Sequence, residues 1–338
     1  MFNDILTLVD FFRFQHKAKR VFFFENSFIE SHLEPYVFKN KNLNNTIIIS
    51  LYKIEDENLK KFKIFHIRSI FFLNLVFLVL KIKFCYSSTP DIDNSAFKRS
   101  LFKKTKYIYI QHSPLGLYKI YRDNAFTNFD VVQVVNIFQK KDLMHISKIK
   151  NKKIKPWCGK YLFLSNKNFT FNIGEQKKRN ILIAPTWGTD FFNLKTHILI
   201  QNKLDTNKYN IFIRPHAMSI KKKNISIENL KKNKFQIADG KINFFQFDLL
   251  ITDWSGIYIE FAKIKKIRSI LVQNSEKILN TKFNEFHHET IDKFARNKLG
   301  KILSIDGLNN IENEIDNILL SQTDYTKEIN NFFERYFY

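Results

Sequence analysis

A series of short apolar runs, each stopped by a polar or turn-forming cluster, constrains this chain more than any other feature. In the first half the runs are 19–24, 46–51, 63–67, 84–88, 107–110 and 130–134. The first stops at Glu25-Asn26-Ser27, the fourth at Thr89-Pro90 and the fifth at Gln111-His112. In the second half, 180–184 stops at Pro185-Thr186-Trp187-Gly188, 209–213 at Arg214-Pro215-His216 and 247–252 at Asp253, with a weaker run at 235–237 and another at 269–272. Continuous rather than alternating runs predict strands covered on both faces, as in a parallel sheet. A helix is expected over 70–80 and another over about 256–262. An amphipathic helical tail is expected over about 308–338, with Ile311, Ile315, Ile318 and Leu319 on one face.

The length of 338 residues suits two domains of roughly 150 residues each. The polar stretch 166–178, with Gly174, reads as a linker. The expected fold is α/β: a Rossmann-like acceptor-side domain over 1–168 and a Rossmann-like nucleotide-donor domain over 178–320, facing across a crevice. Residues 321–338 form a helix expected to pack back on the first domain. Ligands of open α/β sheets sit outside the carboxyl ends of the strands, and the polar clusters fall at those ends.

Composition narrows the function classes. Hydrophobic residues are 44% and aromatics 16%, enough to fill two cores and to exclude a disordered chain. Cys85 and Cys158 make neither a metal pattern nor a disulfide framework, so a reducing cytoplasm is expected. The start, MFNDILTLVDFFRF, has early acidic residues and no small-residue cleavage site, which speaks against a signal peptide. The apolar run 70–80 is about half the ~20 residues a spanning helix needs. It is expected to be a buried helix, with an interfacial segment as the other reading. The net charge of +23 points to an anionic partner. A base-composition bias toward Lys, Asn, Ile and Phe explains part of the same excess.

Each motif has a chemical and a structural reading. His112 can project from a strand end and take a proton near neutral pH, or it can be a structural histidine. Arg214 offers paired donors to phosphate and His216 adds another; alone, the triplet is weak. Asp253-Trp254-Ser255-Gly256 turns from a strand into a helix, leaving the amides of Ser255 and Gly256 for phosphate or serving as an ordinary cap. Glu260, one turn on, can reach a ribose or be solvated. Trp187 can line a base or acceptor pocket or simply pack. Glu285, His287, His288 and Glu289 read as a polar loop or helix, because adjacent His side chains diverge. The basic runs 221–223, 231–232 and 263–268 read as solvated faces, then as a membrane-facing surface. They carry no nucleic-acid motif.

Taken in order, QHSPLG, IAPTWG, IFIRPH and DLLITDWSGIYIEFA resemble the CDP-glycerol glycerophosphotransferase family, the teichoic-acid-type and capsule polymerases and primases of GT-B fold. The resemblance covers about 105–275. It implies that His112 is the base on the acceptor hydroxyl, flanked by Gln111 and Ser113. It implies that Arg214 and His216 hold the donor diphosphate. Asp253, Ser255 and Gly256 match the Asp-Tyr-Ser-Ser turn, and Thr186 and Trp187 the donor-lining segment. The chain departs from the family in its shorter Gln-His-Ser-Pro motif, in Trp254 for Tyr, in Gly256 for the second Ser, and in Trp157-Cys158-Gly159-Lys160-Tyr161 for the segment before the linker. The implied reaction moves glycerol phosphate or a related polyol phosphate from a CDP-activated donor to a glycan or lipid-linked acceptor. No acidic metal pair such as D-x-D is expected, so transfer without metal or other cofactor is expected. The implied location is the cytoplasm, with attachment to the inner leaflet. Two other readings stand: a GT-B glycosyltransferase using a nucleotide sugar, and a non-enzymatic protein that binds polyanions or membranes.

Overall fold

The computed structural model describes residues 2–39, 43–93, 97–162, 178–238 and 242–338. The predicted linker lies outside the described residues except for Lys178. Among the described residues, thirteen strands form two parallel sheets. The first holds β1 (Arg20–Phe24), β2 (Thr46–Ser50), β3 (Lys63–His66), β4 (Phe84–Ser87), β5 (Lys106–Tyr109), β6 (Val131–Val134) and β7 (Lys155–Cys158), in the order β3-β2-β1-β4-β5-β6-β7. The second holds β8 (Arg179–Ile183), β9 (Tyr209–Ile213), β10 (Gln236–Ile237), β11 (Leu249–Thr252), β12 (Ser269–Val272) and β13 (Gly300–Leu303), in the order β10-β9-β8-β11-β12-β13.

β1 shows why its sequence is continuously apolar. Val21 and Phe23 enter one core while Phe22 and Phe24 enter another on the opposite face. A strand covered on both sides has no solvent face to mark with polar residues. Two strands were not anticipated. β7 is a mostly exposed edge strand containing Pro156, tolerable there because an edge leaves some amides unpaired anyway. β13 begins at Gly300, where a Cβ would stand 2.3 Å from Leu271 Cδ1. Close strand packing therefore explains a glycine that reads from sequence as a breaker.

Two helical expectations need correction. The helix Ile70–Leu78 buries Leu73, Val76 and Phe77 but leaves Ile70 57% and Phe71 72% exposed, so only one face is core. The tail is helical, as two helices, Ile311–Leu320 and Gln322–Tyr336, but the packing expected of the second is not what is found. The second packs on the helices Ile257–Lys265 and Ile291–Leu299 of its own half, with Ile329, Phe332 and Phe333 in that core. Only its end reaches the first half: Phe337 bridges to Asn136, and the Tyr338 amide donates to the Val135 carbonyl at 3.1 Å. Among the described residues, no helix is long and apolar enough to cross a membrane.

A carboxylate clamp joins the halves. The Leu117 amide donates to Asp142 Oδ2 at 2.8 Å, and the Gly116 amide donates to Asp292 Oδ1 at 3.2 Å. A Cβ on Gly116 would stand 2.8 Å from Asp292 Oδ2 and 3.2 Å from Asp142 Oδ2, so glycine lets both carboxylates close on the loop. His288 lies 2.5 Å from the other oxygen of Asp142. Burial pushes Asp292 up to about 6; the Gly116 amide opposes this and the charge of Asp142 adds to it. A carboxyl that holds its proton more tightly folded than unfolded stabilises the fold most below its unfolded pKa, and that stability is lost as pH rises toward about 6. Asp292→Asn is expected to raise stability at pH 7 by up to about 3 kcal/mol and to flatten the change between pH 7 and 4. Denaturant titrations across that range test this, and an unchanged pH dependence would exclude Asp292 as its source.

Candidate active site

Each sheet reverses its strand order once, between β1 and β4 and between β8 and β11. Ligands of open parallel sheets sit outside the strand ends at such reversals. In the second sheet one buried carboxylate ties the flanking loops together. Asp253 accepts the Thr186 amide at 2.8 Å, the Thr189 hydroxyl at 2.7 Å and the Asn274 side-chain amide at 3.2 Å. Both its oxygens accept from inside the protein, so Asp253 shapes the 185–188 turn. Burial raises its pKa, and these donors work against that rise. Below it, Arg296 donates to the Asp253 carbonyl at 2.6 Å and stands 4.0 Å from the centroid of the Trp254 ring. Gly188 completes the turn at φ 80°, a conformation that favours glycine.

In the first sheet the Thr89 hydroxyl donates to Glu25 Oε2 at 2.7 Å, joining the loops after β4 and β1. The adjacent Ser88 carbonyl lies 2.9 Å from His112 Nδ1. A carbonyl only accepts, so Nδ1 carries the proton and Nε2 presents its lone pair. The hydroxyls of Tyr109 and Tyr121 stand 2.7 Å from Nδ1 and 3.3 Å from Nε2. Burial lowers His112 to about 4; the bond to Ser88 opposes this and the charge of Lys277 adds to it. The ring is therefore neutral at physiological pH.

His216 has the opposite tautomer. It caps the helix Ala217–Lys221, and its Nδ1 accepts the Met218 amide at 3.1 Å, so Nε2 bears the proton. Burial, then the charges of Lys277, Arg214 and His112, lower it to about 3. One imidazole thus offers a lone pair and the other an N–H, within electrostatic range of each other. Trp187 sits at this charged end. Its ring lies 6.2 Å from that of His216 and carries Lys277 Nζ at 4.3 Å and Lys222 Nζ at 4.6 Å from its centroid. Lys222 is thus more than part of a solvated run.

The two divergent motifs pack on each other. A Cβ on Gly256 would stand 3.1 Å from Ser113 Oγ and Leu115 Cγ and 3.3 Å from Pro114 Cδ. Gly256 is there for close approach, beside the amides that open the helix Ile257–Lys265. Glu260 is not a solvated residue. The Tyr161 hydroxyl donates to its Oε1 at 2.8 Å, and His32 Nε2 lies 3.1 Å from the same hydroxyl. The His32 ring lies 6.2 Å from that of His112. The side-chain amide of Gln111 is buried and makes no hydrogen bond among the described residues. Lys277, His32 and Tyr161 had no sequence signal, because each matters through a partner distant in the chain.

The expectation of no D-x-D pair needs correction, because the spacing exists at Asp91-Ile92-Asp93. It shapes a local turn: both aspartates have positive φ, and Asp93 Oδ1 accepts the Arg99 amide at 2.8 Å. Among the described residues, no group of three or more His, Cys, Asp or Glu side chains could hold a metal ion.

Two parallel sheets with helices, their strand-end motifs converging, define the GT-B architecture. A Listeria monocytogenes structure named as a UDP-N-acetylglucosamine 2-epimerase superposes with TM-score 0.52 at 11% identity, covering 93% of this chain and 90% of its own. UDP-GlcNAc 2-epimerase from Neisseria meningitidis, bound to UDP-GlcNAc, gives 0.50 at 12% identity, covering 93% and 94%. At these identities the likeness concerns fold alone. The sequence of residues 160–338 matches the CDP-Glycerol:Poly(glycerophosphate) glycerophosphotransferase family, and the chain belongs to that family. The match includes Thr186, Trp187, Arg214, His216, Asp253, Ser255, Gly256 and Glu260, whereas Gln111, His112 and Ser113 precede it. No curated protein sequence matches the chain.

Proposed function

We propose that the protein transfers glycerol phosphate, or a related polyol phosphate, from a CDP-activated donor to a hydroxyl of a glycan or lipid-linked acceptor, releasing CMP. The observation that carries this reading is the pair of opposed imidazole tautomers, joined to family membership. The acceptor oxygen attacks the distal phosphorus while His112 Nε2 takes its proton. The bond from that phosphorus to the bridging oxygen breaks, and CMP leaves with the electron pair. His216 Nε2–H, Arg214 and the amides at Ser255 and Gly256 meet the negative charge. Preorganised donors of this kind are each worth roughly 3–4 kcal/mol. Tyr121, at 3.3 Å from Nε2, marks a position from which a hydroxyl can donate to that lone pair. CMP release measured with CDP-glycerol, CDP-ribitol and nucleotide sugars tests the donor. Turnover of a nucleotide sugar alone would replace this reading with glycosyl transfer.

The same reading places the protein on the inner face of a membrane. The helices Phe2–Phe14 and Ile70–Leu78 lie together, tied by Asp4, which accepts the Arg68 and Ser69 amides at 3.3 and 3.2 Å. They expose Ile5, Leu6, Val9 and Phe12 on one helix and Ile70, Phe71 and Leu75 on the other. Exposed apolar side chains on a chain of charge +23 suit an anionic bilayer surface. Replacing Leu6 and Phe71 with Glu is expected to lower affinity for anionic vesicles by roughly tenfold or more. Equal sedimentation of variant and parent with such vesicles would argue against attachment through this face.

A further inference from the structure

The segment after β12, residues 273–280, is pinned to both halves of the molecule. On the donor side, the Asn274 carbonyl accepts the Trp254 indole N–H at 3.1 Å, and Asn274 Nδ2 donates to Asp253. The Ser275 amide donates to Asp190 Oδ1 at 3.2 Å, and the Asp190 amide donates to Ser275 Oγ at 3.1 Å. On the acceptor side, Glu276 pairs with the Lys119 ammonium, and the Leu279 amide donates to the Lys119 carbonyl at 2.9 Å. Lys277 lies between these anchors. Its Cγ is 3.7 Å from where a Cβ on Gly188 would stand, and its ammonium is 4.3 Å from the Trp187 ring centroid. It lies within electrostatic reach of His112, His216 and Asp253.

Among the described residues, no hydrogen bond or ion pair holds this ammonium. The adjacent Glu276 is engaged by Lys119 and Lys293, and Asp253 by its three donors. Lys222, on the same ring, adds positive charge. Burial lowers Lys277 to about 8; the charges of Asp253 and Asp292 oppose this from a distance and that of Lys222 adds to it, so the cation is held at a cost that no protein anion in contact offsets. A partly desolvated charge without a counter-ion is costly, and a bound anion would relieve it.

We propose that Lys277 is the receptor for the distal phosphate of the donor's diphosphate, carried into the site by a strap that spans both halves. This rests on the proposed use of a nucleoside-diphosphate-activated donor. Lys277 would contact the phosphate that changes partners, between the lone pair of His112 and the N–H of His216. It would hold that group's charge without moving a proton.

Titration calorimetry on the full chain with inorganic pyrophosphate, CDP and CMP, for the parent, Lys277→Met and Lys277→Arg, tests this. Losing one charge-assisted contact is expected to weaken pyrophosphate and CDP by at least roughly tenfold in Lys277→Met, and CMP by less than about twofold. Lys277→Arg should restore most of the loss. The melting temperature of Lys277→Met without ligand should stay close to the parent's, because removing the desolvated charge offsets the lost contact with the Trp187 ring. Equal CDP and pyrophosphate affinity in folded Lys277→Met and parent would overturn the inference, as would a parent that binds neither. Lys277-dependent pyrophosphate binding with no preference for CDP over UDP or ADP would sustain the inference while removing the cytidine donor.

Discussion

His112→Ala is expected to reduce CMP release by roughly 10²–10⁴-fold, the range for loss of a positioned general base, while the circular dichroism spectrum stays that of the parent. The expectation rests on the tautomer: the Ser88 carbonyl fixes the proton on Nδ1, leaving Nε2 as the basic atom. A pH dependence accompanies it. The base must be neutral to act, so kcat/KM should fall with acidification only as pH approaches about 4, not near the ~6.5 of an ordinary imidazole. Because kcat/KM reports groups of the free enzyme, this limb should vanish from the residual rate of His112→Ala. Wild-type-like turnover in that variant would remove His112 from the mechanism.

Asp253→Ala should have the largest effect on the fold of the donor half. Its carboxylate is the common acceptor for Thr186, Thr189 and Asn274, and hydrogen bonds to a charged acceptor are worth about 1.5–3 kcal/mol each. Burial of the charge offsets part of this, so a loss of about 3 kcal/mol is expected. Turnover should fall too, because the 185–188 turn and the strap carrying Lys277 lose their shared anchor. Asp253→Asn retains one acceptor oxygen and should be milder in both respects. A variant Asp253→Ala as stable as the parent would show that the carboxylate does not organise these loops.

The strand ends were legible because β1, β5, β8, β9 and β11 are apolar without alternation and stop at polar residues. That pattern follows from burial on both faces and needs no knowledge of partners. The linkages between elements were not legible. Glu260 looks like a surface residue one helical turn past Gly256, and only the tertiary fold brings Tyr161 to it. Lys277 sits in an ordinary polar loop, NSEKI, and its standing depends on which carboxylates are already engaged. Asp253 closes a strand and so stands out in the sequence, but that its carboxylate faces inward and organises the loops shows only in the fold. β7 and β13 carry no strand signal for opposite reasons, one too exposed to look like a strand and the other opened by a glycine that packing requires.

The contact of Gly256 with Ser113, Pro114 and Leu115 couples the two sequence departures from the family's motifs. A side chain at 256 needs volume that the shortened loop after β5 already occupies, and a longer loop would meet the helix start. The two positions can therefore drift only as a pair. A serine at 256 would have to be met by a shift of Ser113, Pro114 or Leu115, so a change on either side of the joint between the halves is felt directly on the other.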